Sequence, residues 1–165
     1  MARAARDKPG LLFLAALILG GGAALLAGTS PDARAEASQA SERIVSVGGA
    51  VTETLFALGL GSKVLAADTT SMYPAEAHAL PKVGYLRQLS AEGVLGMRPD
   101  LILLGEGAGP AAAVEQIKSA DLTVVEVGTP WTPDGVGNLI ETVGAAAGSA
   151  GEAREFADTV AAQFN

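Results

Sequence analysis

Four short apolar runs with helical patterns between them leave few folds open to this chain. The runs are Ile44–Val47, Val64–Ala67, 101–104 and Thr123–Val127. None shows the strict in–out alternation of a strand with one wet face. Near-continuous apolar strands are buried on both faces, and such strands belong to parallel sheets covered by helices. The intervening segments supply those helices. Residues 51–58 form a helical run closed by Gly59 and Gly61. Pro74 suits the first turn of a short helix. Ser90 is a good N-cap for 91–97, and Pro99 stops that helix. Residues 111–119 and 136–147 complete the set, with Gly144 weakening the last helix. The predicted fold is α/β, a Rossmann-like parallel sheet with right-handed crossovers and helices on both faces.

The two ends read differently. Arg3, Arg6 and Lys8 precede an apolar, small-residue run over 11–27, and Ala33-Arg34-Ala35 resembles an A-x-A cleavage site. Gly20, Gly21 and Gly22 interrupt the run, which is short for a membrane anchor of about 20 residues. The expectation is a secretory signal over 1–35, followed by an Ala/Ser-rich linker over 36–42. There is no cysteine, which removes lipid attachment at a cleavage-site cysteine, disulfides and thiolate chemistry. A free, periplasmic protein is expected. At the other end, Ala153, Phe156, Ala157, Val160 and Phe164 recur at helical spacing before Asn165. No later residue in the sequence covers that stripe. Residues 149–165 therefore read as the start of a longer helix in a truncated chain. The alternative is a complete domain with a docked C-terminal helix, since about 130 mature residues suffice for one core.

Charge narrows the partners. The chain carries 11 basic and 18 acidic residues, net −7. The leader holds Arg3, Arg6, Lys8 and Arg34 against Asp7 and Asp32, leaving seven basic and 16 acidic residues, net −9. Nucleic-acid binding needs clustered Lys and Arg against phosphate, and this surface argues against it.

Ligands of open parallel sheets sit beyond the carboxyl ends of the strands. The loops expected there are 48–50, 68–73, 105–110 and 128–133, with Tyr73 and Trp131 as their large aromatics. Gly48-Gly49 has no GxGxxG or GK[ST] sequel, and Gly105-Glu106-Gly107-Ala108-Gly109 carries a carboxylate that repels phosphate. Both read as tight turns. Catalysis finds little support. His78 is the sole histidine, in keeping with a solvated surface residue, and there is no GxSxG elbow. One histidine without cysteine is a poor zinc set. Glu115, Glu152 and Glu155 read as helix-surface carboxylates.

The stretch VGYLRQLSAEGVL, 83–95, is more informative. A phenol with a pKa of about 10 is protonated at neutral pH. Ferric iron is Lewis acidic enough to displace that proton, and a nearby guanidinium favours the anion. Tyr85 with Arg87 therefore suits a tyrosinate ligand for ferric iron, for instance in haem. A bare Tyr-x-Arg is also an ordinary surface loop. Glu92, at the second helical position after Ser90, is favourable beside a helix N-terminus without any function. It is also placed to meet an arginine on a partner.

RIVSVGGAVTETLFALGLGSKVLAADTTSMYP (43–74) and LPKVGYLRQLSAEGVLGMRPDLIL (80–103) resemble the N-terminal lobe of periplasmic substrate-binding proteins of metal-chelate ABC importers. TETLFALGLG and YPAEA are shared across siderophore, cobalamin and haem binders. GGAVTE, DTTSMYP and VGYLRQLSAEGVL resemble the hemin-binding branch. The resemblance implies two Rossmann-like lobes joined by one long helix, with ligand held between them; 43–148 would be the first lobe. It implies Tyr85 as the ligand of ferric haem iron, with Arg87 supporting the tyrosinate. Tyr73, in the DTTSMYP segment, is the further candidate contact to haem. Glu92 corresponds to the first-lobe carboxylate that docks into arginine pockets of an inner-membrane permease. The implied function is a monomeric haem carrier, not an enzyme. Cobalamin or a ferric siderophore is the alternative cargo, with VGYLR as pocket wall. An exported α/β enzyme is the alternative from another class.

Overall fold

The computed structural model describes residues 41–164. The expected leader, most of the expected linker and Asn165 lie outside the described residues. In chain order the elements are β1 (Ile44–Val47), α1 (Gly49–Ala57), a 3-10 turn (Gly61–Lys63), β2 (Val64–Ala67) and α2 (Ala75–His78). There follow β3 (Gly84–Tyr85), β4 (Gln88–Leu89), α3 (Ala91–Gly96), β5 (Leu101–Gly105) and α4 (Ala111–Lys118). β6 (Thr123–Val127), α5 (Pro133–Ala146) and α6 (Ala150–Ala161) close the described chain.

The main sheet has the order β2-β1-β5-β6, all parallel. β1 pairs with β5 from Ile44 opposite Leu101 to Val47 opposite Leu104, and β5 with β6 from Leu101 opposite Thr123 to Gly105 opposite Val127. The unbroken register brings the carboxyl ends of β1, β5 and β6 level. β1, β2 and β5 are apolar except at Ser46 because successive residues enter different cores, whereas the edge strand β6 exposes Thr123 and Glu126. Ile44, Leu101, Leu103 and Val127 face α1, α5 and α6, meeting Leu55, Ile140, Val143 and Ala157. Val45, Val47, Ile102 and Leu104 face the other layer, with Val83, Leu89, Val94 and Ile117. Each fully buried Leu or Ile contributes about 1.5–3 kcal/mol relative to exposure, so both faces of β5 stabilise the lobe.

Several local readings shift. α1 begins at Gly49, two residues before the expected start, because Gly48 turns the chain with φ 110°. α5 begins at Pro133, three residues early. Thr132 caps it by accepting from the Gly135 amide at 3.1 Å, so Thr-Pro-Asp was an overlooked start signal. The Tyr85 segment, expected as a loop, is an antiparallel hairpin in which Gly84 opposes Leu89 and Tyr85 opposes Gln88. Most of the expected stripe packs on the lobe itself, while Phe164, beyond the end of α6, is exposed. Ala153 and Ala157 are buried, with Phe156 and Val160 packed against the same core. Gly144 does more than lower propensity. It is buried in α5, and a Cβ there would collide with the Ala153 side chain. Its missing side chain is what lets α6 approach.

Candidate functional site

The hairpin reaches the carboxyl edge of the sheet because the segment before it runs beside β2. The Ala67 amide donates to Pro81 O at 3.0 Å, and the Val83 amide donates to Ala67 O at 3.1 Å. The Thr69 amide then donates to Gly84 O at 2.9 Å, past the end of β2. Gly84 has φ 115°, and a Cβ there would come within 2.9 Å of Gln88 O. Only glycine fits this entry to the turn. The far side is fastened to the 105–110 loop: Gly109 N donates to Leu86 O at 2.9 Å, and Leu89 N to Gly109 O at 2.7 Å. Val83 and Leu89 are buried beneath. Tyr85 is thus presented at 45 % exposure from a fixed turn.

Arg87 lies in the same turn and is exposed. Among the described residues, neither the Tyr85 hydroxyl nor the Arg87 guanidinium has a hydrogen-bond or ion-pair partner in the protein. Both are free for a ligand. Arg87 is also the one basic residue among the edge loops 48–50, 68–73, 84–90, 105–110 and 128–133.

The 68–73 loop is held by a buried polar network that sequence reasoning missed. Asp68 accepts from the Gly48 amide (2.9 Å), the Thr70 amide (2.9 Å), Thr70 Oγ1 (2.7 Å) and Ser71 Oγ (2.9 Å). Thr52 Oγ1 shares hydrogen bonds with Ser71 Oγ and Ser46 Oγ, each at 2.7 Å. A buried carboxyl needs such donors, since burial without them is costly. The network locks the end of β2 to the start of α1. Tyr73 leaves this loop on the α1 side. It borders one groove of about 580 Å³ with Glu53, Phe56 and Glu76, and another of about 320 Å³ with Ala57, Pro130 and Phe156. The structure therefore brings Tyr85 and Arg87 together on one hairpin and sets Tyr73 on a different groove.

Between them lies a crevice of about 140 Å³ at the ends of β1, β5 and β6. It is lined by Gly48, Gly49, Leu86, Gly105, Glu106, Thr129 and Pro130. Here the strand order reverses, from β1 outward to β2 on one side and to β5 and β6 on the other. Such switch points are the usual ligand crevices of open parallel sheets. Glu106 spans two loops: its amide donates to Val127 O at 2.9 Å, and its Oε2 accepts from the Thr129 amide at 2.8 Å. Hydrogen bonds from the Thr129 backbone and side chain hold the Glu106 carboxyl below its ordinary value. The Gly-rich stretch is a tight turn, as read from sequence, with Gly107 at φ 82°.

The exposed apolar side chains concentrate at this edge. Among the described residues, five large hydrophobics are exposed, and four of them (Met72, Tyr73, Tyr85 and Trp131) stand on these loops. Their gathering on the loops of one edge makes that edge the candidate binding surface. Trp131, at 84 %, is the most exposed of them. Its type and loop were legible in the sequence, but its role was not.

Ser90 caps α3 as expected, accepting from the Gly93 amide at 3.0 Å, and Glu92 is exposed in the first turn. His78 ends the four-residue α2 and is exposed. No cluster of three or more His, Asp or Glu side chains suited to a metal ion occurs among the described residues.

Comparison with known proteins supplies the family. The model of the periplasmic binding protein family matches residues 44–164. The chain is 36% identical over 110 residues to an uncharacterized ABC transporter substrate-binding lipoprotein, YvrC, of Bacillus subtilis (strain 168), covering 66% of this chain and 35% of that protein. It is 33% identical over 87 residues to the vitamin B12-binding protein of Yersinia pestis (strain Pestoides F), covering 53% of this chain and 31% of the relative. Among solved structures it superposes on the periplasmic haem-binding protein BhuT in complex with two haems. The TM-score is 0.67 and the identity 40%, covering 71% of this chain and 45% of that one. The chain thus spans about a third of the length of these curated relatives and under half of the solved neighbour. By its family match and its parallel, doubly covered sheet, the chain belongs to the periplasmic binding proteins.

Proposed function

We propose that this chain is the N-terminal lobe of an exported haem-binding protein that passes ferric haem to an inner-membrane ABC importer. The observation that carries the reading is Tyr85, a phenol without a protein partner, presented on a rigid hairpin at the ligand edge of the sheet. Met72 and Trp131, exposed on other loops of the same edge, suit a large apolar ligand, and Arg87 supplies a cation for a tyrosinate or a propionate. The likeness to a haem-binding structure at 40% identity supports the same cargo. In this reading α6 begins the helix leading to a second lobe, Glu92 docks on the permease, and the carrier acts as a monomer in the periplasm. Tyr73 forms an outlying contact on the α1 side.

Cobalamin is the second reading, favoured by the 33% identity to a vitamin B12-binding protein. A ferric siderophore is a further cargo of the same family type. Neither requires the phenolate. Visible spectra separate the cargoes. Tyrosinate-ligated ferric haem gives a Soret band and a phenolate charge-transfer band. Tyr85→Phe is expected to abolish the charge-transfer band and weaken hemin binding, while His78→Ala leaves both intact. An unchanged spectrum and affinity in Tyr85→Phe would remove Tyr85 as the iron ligand. Arg87→Ala is expected to raise the pH at which the tyrosinate spectrum appears.

A further inference from the structure

We infer that Trp131 is a specificity-determining contact, an aromatic wall that packs on the face of a planar macrocycle whose iron is held from the Tyr85 hairpin. The inference rests on the haem reading above and adds a residue to it.

The first observation is exposure without looseness. A tryptophan that is 84 % exposed leaves a large apolar area in water. Its loop is nevertheless pinned on both sides. Thr129 N is held by Glu106 Oε2 at 2.8 Å, and Thr132 Oγ1 caps α5 through Gly135 N at 3.1 Å. Pro130 and Pro133 restrict the backbone on either side of the indole. A backbone mounted this way is pre-organised, so only the two side-chain torsions of the indole need ordering when a ligand arrives.

The second observation is placement across the crevice. Leu86, the neighbour of Tyr85, and Pro130, the neighbour of Trp131, line the same crevice. Leu86 belongs to the core layer of α3 and α4, whereas the Trp131 loop leads into α5 on the opposite face of the sheet. The loops that carry the two exposed aromatic residues therefore flank the strand ends from the two layers. A flat ligand spanning the crevice meets the phenol from one side and the indole from the other. A corrin, puckered and crowded by its amide side chains, offers no comparable flat face. Trp131 is thus a reason for this lobe to prefer a porphyrin.

The test is titration of wild type, Trp131→Ala and Trp131→Phe with ferric haem and, separately, with cyanocobalamin. Trp131→Ala is expected to weaken haem at least about tenfold, from the lost aromatic burial. It should keep the phenolate charge-transfer band and the unfolding midpoint, and Trp131→Phe should restore most of the affinity. Haem affinity in Trp131→Ala within about twofold of wild type overturns the inference while leaving the haem reading in place. Unchanged affinity with impaired delivery into permease-containing vesicles also overturns it, assigning the indole to the transporter instead. Wild type that binds cyanocobalamin but no haem overturns both readings together.

Discussion

Gly144→Ala sets two physical effects against each other, and the structure decides the sign. Helix propensity alone favours alanine by about 1 kcal/mol in the middle of a helix such as α5. Packing opposes it. The new Cβ would collide with the Ala153 side chain, and it would also lie 3.1 Å from Ser149 O and 3.4 Å from Leu58 Cδ1. The first two neighbours are a Cβ and a carbonyl oxygen, which move only if the helices move. Overpacking of this kind typically costs about 1–3 kcal/mol. The net expectation is a destabilisation of about 1 kcal/mol, read as a lower urea midpoint with an unchanged m-value. Removing the opposing methyl should relieve it. A double-mutant cycle of Gly144→Ala with Ala153→Gly should show a favourable coupling of about 1 kcal/mol or more. A Gly144→Ala protein that gains stability, or a cycle that is additive, would refute the claim that this glycine sets the α5–α6 approach.

Three further outcomes are expected. Asp68→Ala should lower stability by about 2–4 kcal/mol in urea unfolding, because it strips partners from the Gly48 and Thr70 amides and from Ser71; a change below about 0.5 kcal/mol contradicts the network. The Glu106 carboxyl is held below its ordinary value by hydrogen bonds from Thr129, so the clamp is complete above the ordinary carboxylate value and is lost as pH falls through the depressed one. The Thr129 amide proton shift, followed by NMR, should titrate with Glu106 and stop titrating in Glu106→Gln; persistence of the titration assigns it elsewhere. Glu92→Ala should leave hemin binding intact but reduce transport into permease vesicles, with docking weakened by about 2–5 kcal/mol; unchanged transport by haem-loaded protein returns Glu92 to a helix-dipole role.

The sheet was legible because strands covered on both faces are near-continuously apolar, as β1, β2 and β5 are. Ile44–Val47 and Val64–Ala67 were located to the residue on that ground, and Thr123–Val127 matched as well through its valines, although as an edge strand it exposes Thr123 and Glu126. Helix ends were read less well where the start signal was backbone-borne, as at Gly48, or lay before the apolar run, as at Thr132-Pro133. The hairpin escaped notice because two-residue strands leave no period to detect. Its fastening is to Ala67, Thr69 and Gly109, residues distant in sequence or without side-chain chemistry. The Asp68 network was hidden for a related reason. Asp68, Ser71, Thr52 and Ser46 are unremarkable one at a time, and only folding brings them into hydrogen-bond range. Tyr85, Arg87 and Glu92 were singled out because each carries distinctive chemistry in a short, recognisable stretch.

The hairpin's hydrogen bonds to the rest of the lobe are all main-chain, with only Val83, Leu86 and Leu89 packed beneath, and that has a consequence for what such an edge can present. Main-chain ties are indifferent to which side chain a residue carries. Tyr85, Arg87 and Gln88 are exposed and contribute no side chain to the fastening, while Gly84 is closed to change by its φ of 115°. The turn therefore works as an exchangeable head on a fixed stalk. A new metal donor or a new charge can be installed at its tip without renegotiating the sheet beneath. Lineages, and protein engineers, can alter what this edge grips by rewriting three letters between two anchored ones.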